Sequence, residues 1–239
     1  MGVRTAVKVS ICSVAIGGWY PRGVARMIQE FERVSPGFEI RAWVNAVPPC
    51  AQRSVVENGY DYTAYCAKPF ALMDALQAGA DIAILLDAAF YPIRRIHPLV
   101  EWIAQTGYYF CRNGGNVGEW SSDRALNSMG MTREEAFTVE EITSYCVGLN
   151  FHYGQSIELL QRWCGYAADR ITIPGPHGGN RNPGFVSNDS RVKGHRHDQT
   201  ALSVIAHRMG MRNLVDRPIF TSYRGHESEK TVLVNWGGL

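Results

Sequence analysis

The chain has 239 residues, of which 46% are hydrophobic and 19% charged, with 24 basic side chains against 22 acidic ones. Length and composition allow one large globular domain or two small ones with a substantial core, while a formal charge of +2 argues against a binding surface dominated by basic residues and leaves room only for a local patch. No apolar run reaches the roughly 18 residues that a membrane span needs, and six widely spaced cysteines without a C-x-x-C exclude a zinc ribbon or thioredoxin-like motif and point to reduced thiols in a cytoplasmic protein.

Val7, Val9 and Ile11 alternate and predict a first strand over residues 5–16; Lys8 interrupts the apolar segment and sets it apart from a signal peptide. "GGWYPRG" follows as a loop. Val24, Met27, Ile28 and Phe31 carry helical spacing over 23–35, stopped by Ser35-Pro36-Gly37. Phe38, Ile40, Ala42 and Val44 alternate as a second strand over 38–45, broken by "VPPC". A helix is predicted over 68–79, with Pro69 in its first turn and Gly79 at its end. The continuous apolar run 81–86 reads as a strand covered on both faces. This β-α-β-loop-α-β order predicts an α/β sandwich, a mostly parallel sheet flanked by helices. Further on, "CRNGGNVGEWSSDRA" reads as a long functional loop, "EEITSYCVGLNF" as a strand followed by a helix over 154–166, and the Gly-, Pro- and Asn-rich stretch 174–194 as a functional loop or disordered segment. A helix over 198–209 has Leu202, Ile205 and Met209 on one face and Gly210 at its end.

In "DIAILLDAAFYP" the strand 81–86 ends on a lone carboxylate, Asp87. Ligands of open α/β sheets bind beyond the carboxyl ends of the strands, where Asp87 falls; a lone Asp there is otherwise a turn former. The stretch "GADIAILLDAAFYPIRRIHPL", preceded by "AKPFALMDALQAGA", resembles the sequence around the D-x-D motif of nucleotide-sugar glycosyltransferases with the GT-A fold. The resemblance implies a single GT-A-like (Rossmann-like) domain over 1–239, with a nucleotide-sugar-binding half, 1–110, and an acceptor-binding half, 111–239. It implies that Asp87 contacts the nucleotide sugar or a divalent cation, Mn²⁺ or Mg²⁺, that bridges the diphosphate. A leaving diphosphate gathers negative charge, which a cation or a basic side chain must meet. Ala89 stands where the last acid of the motif binds the metal, and a methyl group ligates nothing. The ion is then held by other ligands, or positive side chains replace it.

The same resemblance assigns candidate roles elsewhere. Lys68 faces the donor, or is a solvated helix-end lysine; its ammonium suits a pyrophosphate as a compact point charge. Trp19 or Tyr20 stacks on a base such as uracil, or packs in a turn. In "GHRHDQTALSVIAHRMG", Asp198 resembles the second acidic motif of inverting GT-A enzymes, where a carboxylate takes the proton of the acceptor hydroxyl; in a retaining reaction no such base is required and Asp198 only positions groups, and an Asp there is also a good N-cap. His195, Arg196, His197 and Gln199 crowd the same spot on the acceptor side, and His195-x-His197 with Asp198 makes a partial metal set. His226 corresponds loosely to a C-terminal His that completes a metal site, and Lys230 to a Lys that touches phosphate. Trp120 in "GEWSSD" shapes an acceptor pocket or anchors its loop, and Asp123 is the reserve candidate for the base.

The implied reaction moves a sugar from a nucleotide diphosphate sugar, a UDP-sugar first of all, to an acceptor hydroxyl. The acceptor is a glycan or a hydroxymethylpyrimidine base in DNA. For DNA, a basic loop of Arg181, Arg191, Lys193 and Arg196, with Arg208 and Arg212 nearby, supplies phosphate contacts, and the base leaves the stack. The competing reading is a non-catalytic nucleotide- or carbohydrate-binding module whose metal motif has decayed at Ala89.

Overall fold

The first strand, β1 (Val9–Ala15), is buried along its whole length because alternate residues enter different cores. Val9 and Ile11 turn to one side of the sheet, Cys12 and Val14 to the other. β3 (Ile82–Leu86) repeats the pattern, with Ile82, Ile84 and Leu86 on the first side and Ala83 and Leu85 on the second. Strands of this kind need a layer on each face. A computed structural model, which describes residues 7–51, 60–175, 179–180 and 184–236, shows both layers.

On one face lie α2 (Tyr60–Gln77), α6 (Gly154–Ala168) and α7 (Asp198–Arg208). On the other lie α1 (Tyr20–Val34), α3 (His97–Thr106) and a small sheet ordered β4 (Phe90–Pro92), β9 (Thr231–Asn235), β8 (Phe220–Tyr223). The main sheet has the order β2 (Glu39–Val44), β1, β3, β6 (Glu140–Asn150), β5 (Tyr108–Asn116), β7 (Leu214–Val215). Its pairings are parallel except those of β6, which runs against β3 and β5. The predicted mostly parallel α/β sandwich is therefore the observed one. From β1 the chain winds out to β2 and returns to β3 on the opposite side of β1. Such a reversal opens a crevice beyond the carboxyl ends of the two central strands.

Three expectations need correction. α2 begins at Tyr60, so Pro69 sits inside the helix and not in its first turn. Cys66, Ala67, Phe70 and Ala71 are all buried around it, and that packing offsets the backbone hydrogen bond the proline removes. A helix buried on most sides shows no apolar stripe, which hid its first two turns. Second, "CRNGGNVGEWSSDRA" is not one long loop. It is the end of β5, a turn, and the start of α4 (Asp123–Ser128). Register shifts after Phe110 and Arg112 mark β5 as irregular, which is where a strand tolerates glycines such as Gly114 and Gly115. Third, Asp198 is not an N-cap but the first helical residue of α7; the cap position belongs to His197.

Several short elements carry no periodic signal long enough to read, among them β4, β7, β8, β9 and α5 (Arg133–Phe137). α4 and α5 form their own cluster around Leu126, Met129 and Ala136, and each has a capping hydroxyl, Ser122 and Thr132. The described part of 174–194 is irregular, with an isolated bridge between Gly179 and Gly194. The six cysteines are free thiols. Among the described residues no helix is long and apolar enough to cross a membrane.

α1 is pressed onto the chain just after β3: a Cβ on Gly23 would lie 2.3 Å from the Ala88 carbonyl oxygen. Gly23→Ala should therefore destabilise the protein, although helix propensity alone favours Ala by about 1 kcal/mol. Gly165→Ala in α6, where a Cβ meets nothing within 4 Å, should stabilise it by up to about that amount. Urea unfolding midpoints moving in the same direction for both variants would show that α1 is not locked against this corner.

Candidate active site

Two clefts open above the sheet and share one wall. The first, of about 570 Å³, is lined by Val14, Ile16, Gly17 and Gly18 after β1, by Asp87 and Ala88 after β3, and by Ala64, Tyr65 and Lys68 of α2, with Tyr20 at its rim. It occupies the crevice that the winding reversal creates. The second, of about 550 Å³, is more polar; Asn113, Trp120, Ser144, Tyr145, Asp198, Gln199 and Tyr223 contribute to it. Tyr65, Lys68 and Asp87 belong to both.

At the junction Lys68 Nζ stands 2.7 Å from Asp87 Oδ1 and 3.2 Å from Asp198 Oδ2. Lys68 is 8% exposed and Asp198 2%, whereas the Asp87 side chain keeps 35% of its surface. Burial opposes the charge on Lys68, but Asp198 and then Asp87 outweigh it and hold the ammonium above the ordinary lysine value. Burial pushes the Asp198 carboxyl above the usual aspartate range, against the pull of Lys68 and a hydrogen bond from Ser144. Lys68 lies midway along α2, with its Nζ 5.5 Å from the Tyr65 ring centre. It is thus a buried bridge between two acids, not a solvated helix-end lysine.

The turn that delivers Asp198 is strained. His197 has φ 50° and ψ −119°, a conformation that costs on the order of 1–3 kcal/mol for a non-glycine residue. Its ring stacks on Tyr65 at 4.7 Å, and its Nδ1–H donates to the Ile173 carbonyl at 3.1 Å. His195 Nε2–H donates to the same carbonyl at 3.1 Å, while its Nδ1 accepts from the Ser122 backbone N–H at 3.3 Å. Both ring nitrogens of His195 are thereby engaged, so the pair acts as pegs for the turn and not as a metal set. Arg196 is exposed and lies 4.1 Å over the Trp120 ring, so one face of Trp120 is already covered.

Of the other predicted residues, Tyr20 reaches the first cleft, stacked at 4.7 Å on Trp19 behind it. The buried Ala89 offers only its carbonyl, which accepts from Arg26 at 3.4 Å. Asp123 lies outside both clefts, held by Arg133 at 2.5 Å and by the Ser187 hydroxyl at 2.8 Å, so it tethers α4 and does not stand in reserve as the base. His226 and Lys230 sit exposed between β8 and β9 and line neither cleft. Of the basic loop, Arg191 pairs with Glu134 and Asp189, Lys193 with Glu119, and Arg208 donates to the carbonyls of Met129 and Gly130; Arg181 lies outside the described residues. Arg191 and Lys193 thus have acidic partners, while Arg208 binds neutral carbonyls and keeps its charge. Sequence reasoning missed Tyr65, Asn113, Ser144, Tyr145, Tyr223 and Asn235 as lining residues. They come from five separate elements and share no motif.

A divalent ion in such a site usually takes one or two carboxylates and otherwise substrate oxygens and water. Here the space between the two available carboxylates holds the Lys68 ammonium, and position 89 offers a methyl group. Among the described residues no group of three or more His, Cys, Asp or Glu gathers as ligands. The residues present do not fit a metal held by the protein.

No family model matches the chain, and no curated protein matches its sequence. Solved structures do match. One is the crystal structure of a glycosyltransferase involved in the glycosylation of the major capsid of PBCV-1, with a TM-score of 0.55 over 97% of this chain and 95% of that one, at 11% identity. The fold is one that glycosyltransferases use. The apo structure of the bifunctional glycosyltransferase WbbM matches over all of this chain with a TM-score of 0.53 and 10% identity. The chain spans about half of WbbM, covering 47% of it.

Removing the Lys68 ammonium leaves two carboxylates facing each other, one of them fully buried. Lys68→Met should therefore cost about 3–5 kcal/mol in urea unfolding. Adding Asp198→Asn should restore part of that loss, since the two sites share one interaction. Strict additivity of the two changes would mean the bridge contributes nothing.

Proposed function

We propose that the protein is a glycosyltransferase that moves a sugar from a nucleotide diphosphate sugar, with a UDP-sugar as the first donor to test, to a hydroxyl of a glycan-type acceptor. One observation carries the reading: Asp87, Lys68 and Asp198 meet where the two clefts join. In this reading the donor fills the first cleft. Its base lies against Tyr20 above the Gly17-Gly18 turn, and its diphosphate comes up to Lys68. The acceptor enters the second cleft, beside Asp198. The first cleft draws all its lining from residues 1–110, and the second draws most of its lining from 111–239, which supports a division into donor and acceptor halves.

The chemistry follows from the charges. The acceptor oxygen attacks the anomeric carbon; its proton passes to the Asp198 carboxylate; the bond to the diphosphate oxygen breaks and leaves its electron pair on the nucleoside diphosphate. A carboxylate whose proton affinity is raised by burial is a better base than a solvated one. Lys68 is a preorganised cation at the place where the leaving group gains charge, in a site with little water to screen it. As Asp198 takes up the proton its own negative charge disappears, and Lys68, still paired with Asp87, has more of its charge to offer the diphosphate. The pairing of Arg191 and Lys193 with acidic side chains favours a glycan over duplex DNA as acceptor.

The test is turnover of a panel of nucleotide sugars, UDP-sugars first, against monosaccharide glycosides. Asp198→Asn should lower kcat by about 10²–10⁴-fold with donor affinity within a few-fold of wild type. The acid limb of the kcat profile should lie above the ordinary aspartate value of about 3.9, because the raised Asp198 pKa means the base is lost to protonation earlier as pH falls; the limb should vanish in the variant. Turnover should survive EDTA. Donor binding with no turnover would favour a binding module, and undiminished kcat in Asp198→Asn would remove the assigned base.

A further inference from the structure

Behind the second cleft lies an acid that the proposed chemistry does not use. Glu141, near the start of β6, is fully buried. Its Oε2 accepts from Asn113 Nδ2 at 2.6 Å. Its Oε1 is buried and makes no well-formed hydrogen bond. The Gln199 side chain shows the complementary deficit: its Nε2 is buried with no acceptor, while its Oε1 accepts weakly from the Ser144 backbone N–H at 3.4 Å. Burial raises the Glu141 carboxyl, and Asn113 and Gln199 are the side chains that pull it back, followed by the charge of Arg196. Both amides line the cleft that holds Asp198, and Gln199 follows Asp198 directly in the chain.

An ionised carboxylate only accepts hydrogen bonds, whereas an amide offers a donor at one end and an acceptor at the other. An amide can turn over and exchange the two ends, and only a neighbour of fixed polarity decides which end faces a ligand. Glu141 is that neighbour. By taking the NH₂ end of Asn113 it leaves Asn113 Oδ1 for the cleft. Its second oxygen has Gln199 as the side chain that can serve it, and the Ser144 N–H holds the other end of that amide. An apolar residue at 141 would avoid the cost of burying a charge, but it would leave both amides free to turn.

We infer that Glu141 is a positioning residue for the acceptor: it locks the Asn113 and Gln199 amides so that the cleft presents the Asn113 carbonyl oxygen to a polyhydroxylated substrate. This rests on the glycosyltransferase reading and deepens it. The acceptor class it selects is a sugar carrying a second free hydroxyl near the reacting one, since a carbonyl oxygen needs a donor and gains nothing from a deoxy or O-methyl position.

Glu141→Gln tests this with little change of shape, because it replaces one accepting oxygen by an NH₂ that no amide donor can use. The fixed polarity that holds both amides is then gone, and at least one of them is free to turn. With p-nitrophenyl monosaccharides and their monodeoxy analogues as acceptors, KM for the hydroxylated acceptor should rise about tenfold, the size of one lost hydrogen bond. kcat at saturating acceptor and donor Kd should stay near wild type, and the penalty against one deoxy analogue should shrink. An unchanged acceptor KM, or a KM and donor Kd that move together, overturns the inference. A second readout needs no turnover. In ¹⁵N-labelled protein the side-chain amide protons of Asn113 and Gln199 should exchange slowly in the wild type, and at least one pair should exchange faster in Glu141→Gln. Equal exchange rates overturn the inference whether or not any sugar is transferred. Altered exchange without transfer to any acceptor supports the amide lock and removes the glycosyltransferase reading alone.

Discussion

A single buried ammonium group between two carboxylates organises this protein. Lys68 lies within 3.2 Å of both Asp87 and Asp198, and each of the three comes from a different element: the middle of α2, the end of β3 and the start of α7. Burying such a set costs more than an apolar contact of the same size. The arrangement also concentrates charge where the two clefts meet, in surroundings that screen it poorly. A site of this kind costs stability and gives electrostatic leverage on whatever binds between the clefts.

The rest of the architecture holds that point in place. The winding reversal between β1 and β3 opens the first cleft. The absence of a side chain at Gly23 lets α1 close on Ala88, beside Asp87. His197 is kept in an unfavourable backbone conformation by Tyr65 and by the carbonyl of Ile173, which also accepts a hydrogen bond from His195. What looked like a metal-binding pair is a pair of pegs under the turn that carries Asp198. Glu141, a buried acid bonded to Asn113, belongs to the same pattern beside the second cleft.

At 10–11% identity to the solved glycosyltransferases, the shared fold accounts for the layers and the crevice but not for the chemistry. The chemistry has to come from the side chains of this chain, and those depart from an acid-rich metal motif at Ala89. A lysine that already sits between the acids offers a different way to meet a leaving diphosphate. In the proposed reaction it ties the base to the leaving-group cation: protonation of Asp198 leaves Lys68 with Asp87 as its acidic partner and more of its charge for the diphosphate.

The sequence by itself determined whatever depends on neighbours along the chain. The apolar run 82–86, the alternation in β1 and the spacing in α1 and α7 declared a layered α/β fold, and Asp87 at a strand end and Asp198 before a helix were visible as acids in the right kinds of place. Tertiary structure alone decided which groups face one another. Nothing local says that Lys68 lies between those two acids, that His195 and His197 point at Ile173, that Asp123 is held by Arg133, or that Glu141 reaches Asn113. Those pairings join residues far apart in the chain, and their energies depend on burial, which is a property of the packed layers and not of any stretch of sequence.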